Sequence, residues 1–197
     1  MRNTLIALAL LAALPAPAAA ASDPVAPIAA FDDALLASMK AGKATPLPAR
    51  TAKLLAVVKA THDLPAMAAL VVGPAWAATS AGDRAALVEA FARHSAVQYA
   101  ANFASYAGER FVVDPAVVTR GTDRVVKTTI AGNGTPTPLA YRLRESGGGW
   151  KIVDIFAEGV SQIAVQRSEF ASTIKAGGVA ALTKKLNTAD EARLKGR

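Results

Sequence analysis

The chain has 197 residues, 22 Lys and Arg against 15 Asp and Glu, and no cysteine. The absence of thiols excludes disulfide scaffolds, thiol catalysis and thiolate metal sites, and the 52% of hydrophobic residues suffices for a substantial core. The positive charge gathers late, with seven Lys and Arg against three acids from Arg167 onward. That end suits anionic headgroups or an acidic partner, and a flexible, solvated basic tail over 187–197 is the plainer reading.

The first 21 residues read as a secretory signal peptide: Arg2, an apolar run from Leu5 to Leu14, and small residues ending at Ala20 or Ala21. The run is shorter than the roughly 20 residues a membrane span needs. Export to a periplasm follows as an expectation, with residues 22–197 as a single domain.

Helical periodicity comes first. Ile28, Phe31, Leu35 and Met39 share one face of a helix that Gly42 stops. A second helix follows in "TPLPARTAKLLAVVKATH", and Asp63 caps a third in "DLPAMAALVVG" with Pro65 in its first turn. The longest signal runs from Ser80 to about Tyr106. Ser80 and Asp83 open it at capping-box spacing, and Leu87, Phe91, Ser95, Tyr99 and Phe103 recur every four residues.

After Gly108 the texture becomes β. "ERFVVDPAVVTRG", "DRVVKTTIAG", "TPLAYRLRES" and "GGWKIVDIFAEG" are rich in β-branched and aromatic residues and separated by Gly, Asn and Pro. Four antiparallel strands are predicted, the third with one wet face and the Trp150 strand apolar on both. Two closing helices, Gln162 to Lys175 and Val179 to Leu186, are separated by Gly177 and Gly178. Helices segregated from one antiparallel sheet make an α+β domain, and a strongly curved sheet crossed by helices can enclose an apolar pocket.

Few residues offer chemistry. His62 and His94 stand in no metal-ligand spacing, and "SGGGW" is a hairpin turn because a strand follows it. Asp154 and Glu158, four apart in a strand, would lie roughly 13 Å apart, too far for a shared-proton or retaining pair. Asp154, if buried, needs an arginine or a backbone amide as partner, and Glu158 stands at a junction where a carboxylate can accept backbone N–H bonds.

Two runs carry a family resemblance: "DLPAMAALVVGPAWAATSAGDRAALVEAFARHSAVQYAANFASYAGERFVV" and "YRLRESGGGWKIVDIFAEGVSQIAVQRSEFASTIKAGGVAALTKKL". The second is the more specific, with Trp150, Asp154, Gly159, Ser161, Arg167, Phe170 and Gly177 in family order. The chain resembles the MlaC, or toluene-tolerance, family of periplasmic lipid-binding proteins, and "SQIAVQRSEF" resembles its hopanoid-cluster branch, HpnM. The resemblance implies an NTF2-like curved sheet with helices around a deep apolar pocket, no cofactor, no catalysis and no nucleic-acid partner. It also implies lipid carriage between inner and outer membranes. The ligand would be a phospholipid or a hopanoid, the partners an MCE/ABC-type or RND-type inner-membrane transporter complex and an outer-membrane lipoprotein complex.

The candidate lining on the helices is Val71, Trp76, Phe91, Tyr99 and Phe103. On the strands it is Phe111, Val113, Val126, Ile130, Tyr141, Leu143, Ile152 and Phe156, with Val160 and Ile163 beyond. The same spacings serve an ordinary core. Arg142, Arg144 and Arg167 are candidates to meet a headgroup phosphate. Two rivals remain: an NTF2-like enzyme whose base is Asp154, His94 or Tyr99, and a pocketless adaptor of an envelope complex.

Overall fold

The computed structural model describes residues 23–196. The expected export signal, residues 1–21, lies outside them. Three short helices come first: α1 (Ala26–Ala41), α2 (Leu47–Thr61) and α3 (Leu64–Val72). Each has proline in its first turn, where the missing N–H is harmless. The Asp63 side chain accepts the Ala66 N–H at 3.0 Å and caps α3. The neighbouring Asp63 N–H donates to the Ile152 carbonyl at 2.9 Å, so the α2–α3 joint is docked on the sheet.

A 3₁₀ turn, Gly73–Trp76, leads to α4 (Ala81–Asn102). Ser80 and Asp83 open α4 as their spacing predicts: Ser80 Oγ accepts the Asp83 N–H at 3.1 Å and donates to Asp83 Oδ2 at 2.7 Å. The helix ends short of the predicted Tyr106. At Phe103 the backbone leaves helical geometry (φ −100°, ψ 64°), and the Phe103 carbonyl accepts the Ser38 hydroxyl of α1 at 2.9 Å. A neighbouring helix takes up a carbonyl that another turn of α4 would have used.

The sheet contains β1 (Arg110–Arg120), β2 (Asp123–Ala131), β3 (Thr137–Ser146), β4 (Gly149–Ala157) and β5 (Val160–Ser161), antiparallel throughout and in sequence order. The fifth strand corrects the predicted four. It exists because Glu158, at φ 52°, and Gly159 form a tight turn that brings Val160 back against Ala157. Irregularities between Val113 and Val117, around Pro115, and beside Arg142 break the ladder and bend the sheet. Ile152 to Ile155 are buried consecutively, so β4 is covered on both faces as its composition predicts.

The last helix, α5 (Gln162–Leu194), breaks at Gly177 and Gly178, the latter at φ 67°. Helix on either side of the two glycines was legible in the sequence; its extent was not. The tail expected from 187 onward is instead helical through Leu194, and Asp190 within it is 1% exposed. His94 on α4 and Asp190 are bonded, Nδ1 to Oδ1, at 2.8 Å, which draws this end of α5 onto α4. Phe31, Leu87, Phe91, Tyr141, Ile152 and Phe170 belong to one apolar cluster shared by helices and sheet. Each such fully buried large apolar side chain stabilises the fold by roughly 1.5–3 kcal/mol.

Candidate functional site

The last turn of α4 separates two pockets that share Asn102. One, about 300 Å³, opens between α4 and the first turns of α5 and is lined by Tyr99, Gln98, Gln162, Val165 and Gln166 among others. The second, about 290 Å³, opens between the ends of α1 and α4 and the β2–β3 side of the sheet, against Met39, Phe103, Ile130 and Thr137. Between them stands an aromatic wall. The ring of Phe103 lies 6.4 Å from that of Phe111, and Tyr99 meets Phe31 edge-on at 5.0 Å. Phe31 in turn packs edge-on against His62 at 4.8 Å and Tyr141 at 6.3 Å.

Four ionisable groups are sunk into this wall. Tyr141 donates its hydroxyl to Asp32 Oδ1 at 2.6 Å, while Asp32 Oδ2 is buried without a partner. Burial pushes the Asp32 carboxyl up to about 7, against the smaller opposing effect of that hydrogen bond. Burial also raises the Tyr141 and Tyr99 phenols well above their ordinary range. His62 is driven down to about 3 by burial and is neutral. The Thr61 hydroxyl donates to the Val57 carbonyl, so it accepts from His62 Nδ1 at 2.9 Å and leaves Nε2 as a bare acceptor.

Asp154 is a joint in the framework. Oδ2 accepts the Ser161 hydroxyl at 2.7 Å, Oδ1 accepts the Ile163 N–H at 3.3 Å, and the Arg142 guanidinium is 3.9 Å away. It holds the start of α5 against β4, with the two kinds of partner its burial demanded. Glu158 lies beyond the end of β4, in the turn; its backbone N–H donates to the Pro138 carbonyl at 3.0 Å. Arg144 grips Asp123 at 2.7 and 3.0 Å, and that grip holds the Asp123 carboxyl below its ordinary range. Arg142 lies 3.9 Å from both Asp123 and Asp154. Of the three arginines expected at a headgroup, Arg144 is thus bonded to a carboxylate and Arg142 stands between two. Arg167 lies across Gly73, its guanidinium within 2.8 Å of where a Cβ on that glycine would stand.

Of the candidate lining, Tyr99 faces the first pocket, and Phe103 and Ile130 the second. Phe111 and Val113 are half-buried nearby on β1. Val71, Phe91, Val126, Tyr141, Leu143, Ile152 and Ile163 are buried in the apolar cluster. Trp76 is partly buried against that cluster and carries the Arg84 guanidinium over its ring at 5.3 Å. Phe156 is half-buried and Val160 is 53% exposed in the β4–β5 turn. Met39, Asn102 and Val165 were missed. Met39 ends the apolar stripe of α1 and could have been found there. Asp32 was legible too: it falls four residues after Ile28, a carboxylate on an apolar face.

The three candidate bases are all engaged: Asp154 by α5, His94 by Asp190, and the Tyr99 phenol by burial that holds its proton. Among the described residues there is no group of three His, Cys, Asp or Glu suited to a metal ion, and no helix is long and apolar enough to cross a membrane.

Helices packed on a bent antiparallel sheet, with aromatic side chains between pockets at their junction, define an α+β ligand-binding architecture. The chain belongs to the MlaC protein family, whose model matches residues 30–188. It is similar in structure to a phospholipid-binding protein from Ralstonia solanacearum solved in complex with a phospholipid. The TM-score is 0.74 at 25% sequence identity, and the match covers 88% of this chain and 99% of that one.

Proposed function

We propose that this protein is a periplasmic lipid carrier that takes the acyl part of a membrane phospholipid into the interior between α4 and the sheet. The observation that carries the reading is the aromatic wall of Tyr99, Phe103 and Phe111 between two pockets, in a fold similar almost end to end to a protein solved with phospholipid bound. Phe103 and Phe111 meet only by dispersion and are joined by no hydrogen bond, so parting them costs little against what a lipid chain returns. Each methylene moved out of water contributes about 0.8 kcal/mol.

A two-chain lipid therefore cannot cross an aqueous compartment as a free monomer at a useful rate, whereas an apolar protein interior matches the membrane closely. Exchange between bilayer and carrier is near balance, and direction comes from the complexes it docks with. These are, on this proposal, an inner-membrane transporter of MCE/ABC or RND type and an outer-membrane complex. Binding and release need no general base, in keeping with the engaged state of Asp154 and His94.

The test is uptake. Lipid-stripped protein is incubated with vesicles carrying a labelled phospholipid and then separated from them by size. About one labelled lipid per chain is the expected result. Folded protein that returns unlabelled overturns the proposal, and preferential uptake of a hopanoid would change the ligand while keeping the carrier.

A further inference from the structure

Two packed helices ordinarily turn apolar stripes toward each other, but over the first pocket α4 and α5 turn polar ones. On α4, Ser95, Gln98 and Asn102 share one face with Tyr99. On α5, Gln162, Gln166 and Glu169 share another, and Val165 is the one aliphatic residue of the lining. Ser95 is only 6% exposed, and its hydroxyl, like the Asn102 and Gln166 carboxamides, has no hydrogen-bond partner among the described residues. Gln98 is fixed in place: its Nε2 stands 3.4 Å from His94 Nε2, its Oε1 accepts from Arg193, and His94 is itself held by Asp190. The space of about 300 Å³ between the two stripes is thus walled by hydrogen-bonding groups, several of them idle.

The charge of the lining decides what those groups fit. No lysine or arginine lines the pocket, and its one carboxylate, Glu169, would repel an anion. The N–H groups at the start of α5, where a phosphate could otherwise sit, are occupied: Asp154 takes that of Ile163 and Ser161 that of Ala164. A carboxamide or a hydroxyl, by contrast, both donates and accepts, as a ligand hydroxyl does. We infer that this pocket reads the headgroup of the carried lipid and selects one ending in vicinal hydroxyls, a glycerol or a sugar, through Ser95, Asn102 and Gln166. Asn102 also lines the second pocket and Tyr99 stands in the aromatic wall, so a headgroup held here adjoins the apolar interior. The inference rests on the carrier reading and adds the class of headgroup.

The experiment offers vesicles that contain phosphatidylglycerol and phosphatidylmethanol in equal amounts, with the same acyl chains and the same charge, so that the two differ in the glycerol unit alone. Lipid-stripped protein is incubated with them, and mass spectrometry of the recovered protein gives the ratio bound. Wild type should favour phosphatidylglycerol by about fivefold or more, the effect of one net neutral hydrogen bond. In S95A/Q166L, and in N102L at an exposed position, the ratio should fall toward one in protein that melts as wild type does.

A ratio near one in wild type overturns the inference, and so does a preference that survives in both variants. Loss of both lipids in equal measure, with the ratio kept, would make these residues part of an entrance and overturns it too. If wild type takes up neither lipid, the carrier reading fails, and the pocket is then read by amide NMR shifts on addition of glycerophosphoglycerol, the same headgroup without chains. Shifts at Ser95 and Gln166 that glycerophosphomethanol does not cause would keep the pocket as a polyol site. The absence of such shifts would overturn it along with the carrier.

Discussion

The Tyr141 hydroxyl reaches Asp32 Oδ1 at 2.6 Å and so joins α1 to β3 through the apolar interior. Phe31, beside Asp32, packs between Tyr141 and His62, which puts a carboxyl held up to about 7 close to an imidazole held down to about 3. The two shifts act on stability in opposite directions. Between about 3.8 and 7 the folded chain keeps a proton on Asp32 that the unfolded chain gives up, so this group lowers stability as pH rises through that window. Between about 3 and 6.5 the unfolded chain binds a proton on His62 that the folded chain refuses, so this group raises stability over nearly the same window. Urea midpoints across pH 4–7 should therefore climb more steeply with pH in Asp32→Asn than in wild type, and less steeply in His62→Gln. Parallel profiles for all three would contradict the assignment.

Asp154 is a structural carboxylate here, so its removal should be read in stability. Asp154→Ala strips the Ser161 and Ile163 bonds from the start of α5 and leaves Arg142 short of one counter-charge. A loss of roughly 2–4 kcal/mol in chemical denaturation is expected. A change below about 0.5 kcal/mol, the level of an ordinary surface substitution, would remove the joint from the account.

Buried and rim positions should behave differently. Leu143 is fully buried on β3, so Leu143→Glu is expected to unfold the protein rather than merely empty it. Val165 is 45% exposed at the edge of the first pocket. Val165→Glu should keep the wild-type melting temperature and take up less lipid from vesicles. Normal uptake by Val165→Glu would exclude the first pocket as an entrance.

Gly73 carries two constraints at once, a φ of 69° and the guanidinium of Arg167 where a Cβ would stand. Gly73→Ala should cost about 1–2 kcal/mol. In the Arg167→Ala background the cost should fall without vanishing, since only the contact is relieved. Strict additivity of the two changes in denaturation would show that the side chain yields freely.

The expected tail offers a last stability test. Deleting residues 187–197 removes Asp190 and Arg193, which bond His94 and Gln98 on α4. It should lower stability by about 2 kcal/mol or more, where a solvated tail would be lost without effect.

What the sequence disclosed was local. The Asp63 cap, the Ser80–Asp83 opening and the Gly177–Gly178 break each depend on residues within one or two turns, and each appears where its spacing puts it. The end of α4 at Phe103 depends on a hydroxyl 65 positions away, and the order of the last turns of α5 on a His94–Asp190 bond spanning 96. No periodicity records such pairings. The pocket residues divide for the same reason: stripe and alternation mark which side chains turn inward, but whether Phe103 or Leu143 meets a cavity is decided by what packs opposite. Arg142 and Arg144 looked free in the strand pattern because Asp123, their partner, lies on another strand.

The central claim is that the interior holds a lipid. Its most direct measurement is mass spectrometry of an organic extract of the protein, purified from its native cells without detergent. About one phospholipid per chain is the expected result, and a hopanoid at the same ratio would keep the carrier with a different cargo. An extract empty of both, from folded protein that also takes up no lipid from vesicles, would contradict it.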